Sequence, residues 1–125
     1  MEKIQELFVV LDNKPGALGE LCELLAKHNV NIETIGVFVD SAKLLVRNID
    51  KTKKILETNN YTVEIRDVLR FEIPNKPGEL AYITTRISHV GLNIDHLYAS
   101  AKPGDKTVTL IIDVDDVETA MTLFR

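Results

Sequence analysis

Asn13-Lys14-Pro15-Gly16-Ala17-Leu18 recurs downstream as Asn75-Lys76-Pro77-Gly78-Glu79-Leu80, so that position 13 matches position 75 at an offset of 62. The same offset, without a gap, pairs Asn31-Ile32-Glu33 with Asn93-Ile94-Asp95. It also aligns Leu7 with Leu69, Leu11 with Ile73, Leu21 with Ile83, Leu25 with Ile87 and Val30 with Leu92. A single short match can arise by chance. Two separated motifs and an apolar frame in one register mark a duplication, and a repeat governs every later step of the reading.

Outward from the motif, the periodicity changes in a definite order. Leu7 to Leu11 reads as a buried strand bounded by the turn formers Asp12 and Asn13. Pro15 and Gly16 open a helix whose stripe is Leu18, Leu21, Leu24, Leu25 and His28, at spacings of three and four. Asn29 and Asn31 close it. Ile32 to Val39 and Lys43 to Asn48 are β-rich and joined by Asp40-Ser41-Ala42. Asp50 is placed to cap a second helix over Lys51 to Thr58, and Tyr61 to Arg66 is a fourth strand after Asn59-Asn60. The order β-α-β-β-α-β is the split βαβ, or ferredoxin-like, unit. The fold class expected is α+β, with two tandem units of this kind, antiparallel sheets and helices on one face.

The second copy follows through Val68 to Ile73, Glu79 to Val90, Ile94 to Ala101, Thr107 to Val114 and Asp116 to Phe124. Its hairpin turn, Lys102-Pro103-Gly104-Asp105, is longer. A fourth strand would begin near position 126, beyond Arg125. The expected division is therefore 1–66 and 67–125, with the last strand of the second unit missing. Truncation or a disordered tail is favoured over strand exchange. Tyr61 to Pro74 runs as one extended stretch with no linker.

Composition narrows the classes. Apolar residues make up 45% of the 125, enough for a packed core. A net charge of −4 disfavours nucleic acid and anionic membrane surfaces, which call for a basic face. The start, Met1-Glu2-Lys3-Ile4-Gln5-Glu6, has neither the apolar run of a signal peptide nor the bias of a transit peptide. One cysteine, Cys22, cannot form an internal disulfide, which suits a reducing compartment. A cytoplasmic location is expected.

A hydrophobic strand, then Asn-x-Pro-Gly-x-Leu, an amphipathic helix, and Asn-Ile opening the next strand: this arrangement resembles the ACT domain family, twice over nearly the whole chain. The resemblance implies a regulatory module that binds amino acids or other small metabolites, often where two units pair. In the serine-binding version of the family, the Asn before Pro-Gly and the Asn of Asn-Ile contact the ligand. These carry over to Asn13 and Asn31, and to Asn75 and Asn93. That version also uses a His two residues before the first Asn, where this chain has Leu11 and Ile73. Serine is therefore in doubt, and the substitutions lean the ligand towards a branched-chain or aromatic amino acid.

The chemistry of these residues suits an amino acid. A helix amino terminus offers free N–H groups and the positive end of the helix dipole to a carboxylate. Gly16 and Gly78 lack a Cβ and allow close approach. An Asn amide both donates and accepts. The ligand set is Leu11, Asn13, Pro15, Gly16, Ala17, Leu18, Asn31 and Ile32 in the first copy. In the second it is Ile73, Asn75, Pro77, Gly78, Glu79, Leu80, Asn93 and Ile94. The Asn13–Gly16 and Asn75–Gly78 loops are expected to hold the polar head, with the fold bringing Asn13 towards Asn31. The bland alternative is that Asn and Pro-Gly only start helices, and that Asn31 and Asn93 only turn the chain.

Other chemistry is thin. His28 sits on the apolar stripe, and His89 and His96 lack partners at metal spacing. Asp113-Val114-Asp115-Asp116 lacks the Gly and terminal Glu of a calcium loop and reads as a strand end and helix cap. Cys22 reads as a structural thiol. No nucleophile–base pair, phosphate loop or dinucleotide fingerprint is present, so neither metal, cofactor nor catalysis is expected. The function expected is an amino-acid sensor acting as a homodimer. The alternative is a regulatory subunit docked on an amino-acid biosynthetic enzyme, with ligand binding secondary.

Overall fold

A computed structural model describes residues 1–124. The strands are β1 (Glu2–Val10), β2 (Thr34–Val37), β3 (Ser41–Leu45), β4 (Val63–Pro74), β5 (Ile94–Ser100) and β6 (Thr107–Val114). The helices are α1 (Ala17–Lys27), α2 (Ile49–Thr58), α3 (Glu79–His89) and α4 (Val117–Leu123). The chain is α+β and repeats βαββαβ twice, with antiparallel sheet pairing, and it divides into two compact units. One comprises Gln5–Arg66; the other comprises Asp67 onward together with Met1–Ile4.

In the first unit the hydrogen-bonded order is β2-β3-β1-β4. Leu7 pairs with Leu44 and Val9 with Ala42. These side chains alternate onto the face covered by Ala17, Leu21 and Leu25 of α1 and Leu56 of α2, forming one core. The α1 stripe differs from the expected one by a small rotation: Ala17 is buried, while Leu18 and His28 are exposed. Asn48, not Asp50, caps α2, its Oδ1 accepting from the Lys51 N–H at 3.3 Å. The hairpin turn falls at 38–40 rather than 40–42, because Val37 pairs with Ala42 and the Phe38 N–H donates to the Ser41 carbonyl.

The opposite face of this unit carries charge. Lys43 and Glu6 are fully buried, with Nζ 3.4 Å from Oε1. The Phe8 ring lies beside them, and the Arg66 guanidinium stacks on it at 4.0 Å from the centroid.

The second unit has the order β1-β4-β6-β5. Its core gathers Leu69, Phe71 and Ile73 of β4, Leu110, Ile112 and Val114 of β6, Ile83 and Ile87 of α3, and Ala120 of α4. Asp95 is the extra residue of a β-bulge between Ile94 and His96. Beside β4 in this unit stands Met1–Ile4, the first part of β1, at the place a fourth strand takes in the βαββαβ unit. Residues 1–4, counted with the first copy in the sequence, thus belong to the second. Glu2 Oε1 accepts from Arg70 Nε at 2.9 Å, and Lys3 Nζ donates to Glu118 Oε1 at 2.8 Å. The Glu118 hydrogen bond and charge hold the exposed Lys3 ammonium above its ordinary pKa.

Asp116 caps α4, accepting the Thr119 N–H on Oδ1 at 3.0 Å and the Thr119 hydroxyl on Oδ2 at 2.7 Å. These bonds hold its carboxyl below the usual carboxylate range. A depressed folded-state pKa contributes stability above the unfolded value, about pH 4, which is lost as pH falls through the folded value. Asp116→Asn keeps a capping amide but loses that titration. The gap in Tm between wild type and Asp116→Asn is expected to close as pH drops from about 5 to 2. A gap that stays constant over this range would refute the assignment.

Candidate ligand-binding site

Each Pro-Gly loop delivers a helix whose first residue follows a left-handed glycine: Gly16 has φ 89° and Gly78 has φ 90°. At this φ an L side chain is strained, which accounts for glycine at both places. Neither α1 nor α3 has a side-chain cap; the Ala17 and Glu79 N–H groups donate to the Lys14 and Lys76 carbonyls, which leaves the next N–H groups, of Leu18 and Gly19 and of Leu80 and Ala81, towards a ligand or solvent.

The two copies differ in what their asparagines do. Asn75 Nδ2 donates to the Asp105 carbonyl at 2.9 Å, tying its loop to the β5–β6 hairpin. Asn93 Nδ2 donates to Asp95 Oδ1 at 2.9 Å, and its N–H donates to Asp115 Oδ1 at 3.1 Å. Both have structural work. The exposed Asn13 and Asn31 side chains make no hydrogen bond among the described residues.

Asn13 and Asn31 do not meet within a unit, contrary to expectation. Ile35 and Leu7 both pair with Leu44, and Val37 and Val9 both pair with Ala42. Strand β2 therefore runs parallel to β1 and level with it. Asn31 lies before the start of β2 and Asn13 lies past the end of β1. At about 3.3 Å per strand residue they sit roughly 15 Å or more apart. The cause is the crossover: α1 runs back along the sheet before β2 begins.

The remaining sequence candidates divide by burial. Leu11 and Ala17 belong to the first core and Ile73 to the second, with Ile32 and Ile94 packed against them, so these five serve packing. Pro15, Gly16, Leu18, Pro77, Gly78 and Leu80 are exposed, and Glu79 is half-buried.

Two cavities occupy the ends of the first unit. One, of about 210 Å³, lies at the Pro-Gly loop and is lined by Leu11, Asp12, Lys14, Glu20, Asn60 and Tyr61 among others. Burial, with the Glu20 and Asp12 charges, raises the Tyr61 hydroxyl pKa. Lys14 is drawn to Asp12 at 3.7 Å. This end is electronegative, a poor setting for a carboxylate despite the open helix N-terminus. The other cavity, of about 380 Å³, is lined by Asn31, Glu33, Arg47, Asn48, Lys51 and Thr52 among others. Sequence reading missed it, because its lining comes from two turns 16 residues or so apart and no single motif spans them.

Among the described residues no cluster of three or more His, Cys, Asp or Glu side chains could hold a metal ion. No helix there is long and apolar enough to cross a membrane.

The model of the ACT domain matches residues 6–57. Protein BT0572 from Bacteroides thetaiotaomicron is 30% identical in sequence, with a TM-score of 0.82, over 97% of this chain and 85% of that one. The chain belongs to the ACT domain family. This ACT protein also shares its fold with the regulatory subunit of aspartate kinase from Thermus thermophilus. That likeness is at 16% identity and a TM-score of 0.66, over 100% of this chain and 99% of that one. The corresponding subunit from Thermus flavus, at 17% identity, gives a TM-score of 0.69, over 98% of this chain and 90% of that one. No curated protein sequence matches it.

Proposed function

We propose that this ACT protein is a non-catalytic, cytoplasmic regulatory protein that binds a free amino acid through its first copy, as a homodimer. The observation that carries this reading is the pair of unengaged amides, Asn13 and Asn31, at opposite ends of one unit whose helix N-terminus is uncapped. The second copy, whose asparagines are already bonded, is the scaffold.

A dimer resolves the separation. Strand β2 is an edge, and Ile35, Val37, Phe38 and Val39 on and after it are exposed, Val39 to 71%. An apolar edge of this kind is a template for another strand. Antiparallel pairing of two β2 edges across a two-fold axis sets the end of one strand beside the start of the other. The hairpin tip is tied to the Pro-Gly end of β1 by the Leu11 N–H donating to the Asp40 carbonyl at 2.9 Å. Asn13 of one chain then approaches the partner's Asn31.

The test is a thermal-shift screen of the twenty amino acids with calorimetry on each hit, beside light scattering. A ligand at a hundredfold excess over its Kd adds about 2.7 kcal/mol, a shift of several degrees. Asn13→Ala and Asn31→Ala should each weaken binding about tenfold, while Asn75→Ala and Asn93→Ala leave it unchanged. Wild-type affinity in both first-copy variants, or a monomer at micromolar concentration, would overturn the reading. By analogy of fold alone, the full-length likeness to an aspartate kinase regulatory subunit supports a second reading, docking on a biosynthetic enzyme. A stoichiometric enzyme on the purified bait, with silence in the screen, would favour it.

A further inference from the structure

The cavity between the α1–β2 turn and the β3–α2 turn of the first unit carries both signs of charge on named side chains. Arg47 and Lys51 line it together with Glu33, and Asn31 and Asn48 add two amides. Arg47 Nε lies 3.3 Å from Glu33 Oε1. Two cations and one carboxylate leave a local excess of positive charge in a chain whose net charge is −4. Glu33 works against a plain anion, and the two cations work against a plain amine. A group bearing a carboxylate and an ammonium a few ångströms apart satisfies all three. At about 380 Å³ the cavity is at the small end of ligand sites, suited to a metabolite of amino-acid size.

The second copy is an internal control. Asp95 stands where the first copy has Glu33. At the residue before the α4 cap, Asp115 stands where Arg47 precedes the α2 cap, and Thr119 takes the place of Lys51. Those carboxylates are bonded at home, Asp95 and Asp115 to Asn93 and Asp116 to Thr119. Both cations are lost, so at these positions the cationic character is that of the first copy.

We infer that Glu33, Arg47 and Lys51 bind the α-amino-acid head group, Glu33 receiving the ammonium and Arg47 with Lys51 receiving the carboxylate. The inference deepens the proposed function and rests on it, moving the polar head from the Pro-Gly loop, where Asp12 and Glu20 repel a carboxylate, to the Asn31 end. The ligand's carboxylate displaces Glu33 as the partner of Arg47, a charge-assisted exchange.

The experiment is calorimetry with each amino acid that shifts the wild-type Tm, repeated with its N-acetyl derivative, on wild type, Glu33→Gln, Arg47→Ala and Lys51→Ala. These side chains are exposed or half-exposed, and circular dichroism checks that the variants fold. Arg47→Ala and Lys51→Ala should each weaken the free amino acid about tenfold or more. Glu33→Gln should weaken the free amino acid similarly but leave the N-acetyl derivative, already weak, unchanged. Binding that is indifferent to all three substitutions yet lost in Asn13→Ala overturns this inference and leaves the proposed function standing. Silence of the wild-type protein towards all twenty overturns both.

Discussion

Replacing Lys43 by methionine is expected to lower the unfolding free energy by about 3–5 kcal/mol, although it exchanges one long flexible side chain for another. Lys43 and Glu6 are fully buried at 3.4 Å on the face of the first unit away from its helices. In the single variant the Glu6 carboxylate stays inside and loses the Lys43 ammonium, and desolvation of that charge dominates. Volume is nearly conserved, so a cavity contributes little. The double variant Lys43→Met with Glu6→Leu should regain most of the loss, because burying two charges costs about as much as their attraction returns. Urea denaturation of the wild type, both single variants and the double variant closes the cycle. A single-variant loss under about 1 kcal/mol would show the pair to be solvated, and the buried-pair argument would fall.

That pair also marks a limit of sequence reading. A lysine and a glutamate are ordinarily surface residues; Glu6 lies outside the strand expected from Leu7 to Leu11, and in the structure Leu7, Val9, Ala42 and Leu44 account for one face of the two strands. Nothing in a period-two pattern says that the other face is covered. Helices and strands driven by apolar spacing were legible, as were the glycines that the left-handed starts of α1 and α3 require. Errors gathered where a local choice is settled by tertiary pairing. Asn48 rather than Asp50 caps α2 because β3 ends at Leu45 and fixes where the helix starts. Leu18 faces out because α1 turns the face of Ala17, Leu21 and Leu25 to the core, and Leu18 lies off that face. At the candidate site, the motifs give no sign of how far apart Asn13 and Asn31 lie, since spacing along the chain carries no information on the direction of a crossover. The Glu33, Arg47 and Lys51 cluster was invisible for the opposite reason: its members share a place and no motif.

The amino-terminal strand offers the sharpest test of the architecture. Glu2-Lys3-Ile4-Gln5 has a polar composition that no strand pattern selects, and it became a strand only because β4 supplies a partner. Strand β4 is one continuous segment whose first part belongs to the first unit and whose second part belongs to the second; β1 does the same in reverse order. Removing Met1–Ile4 should therefore damage the copy farther away in sequence. The deletion strips a strand from the edge of Asp67–Pro74 and removes the Glu2–Arg70 and Lys3–Glu118 ion pairs. The exposed ion pairs matter little, whereas the ladder contributes about 1 kcal/mol per hydrogen bond, so a loss of a few kcal/mol is expected. Hydrogen exchange locates it: amides of β4 from Asp67 to Ile73 and of β6 should lose protection, while α1 and β3 keep theirs. Equal loss across both copies would mean that the units unfold as one. No loss in either would mean that Met1–Ile4 is not the strand that completes the second unit.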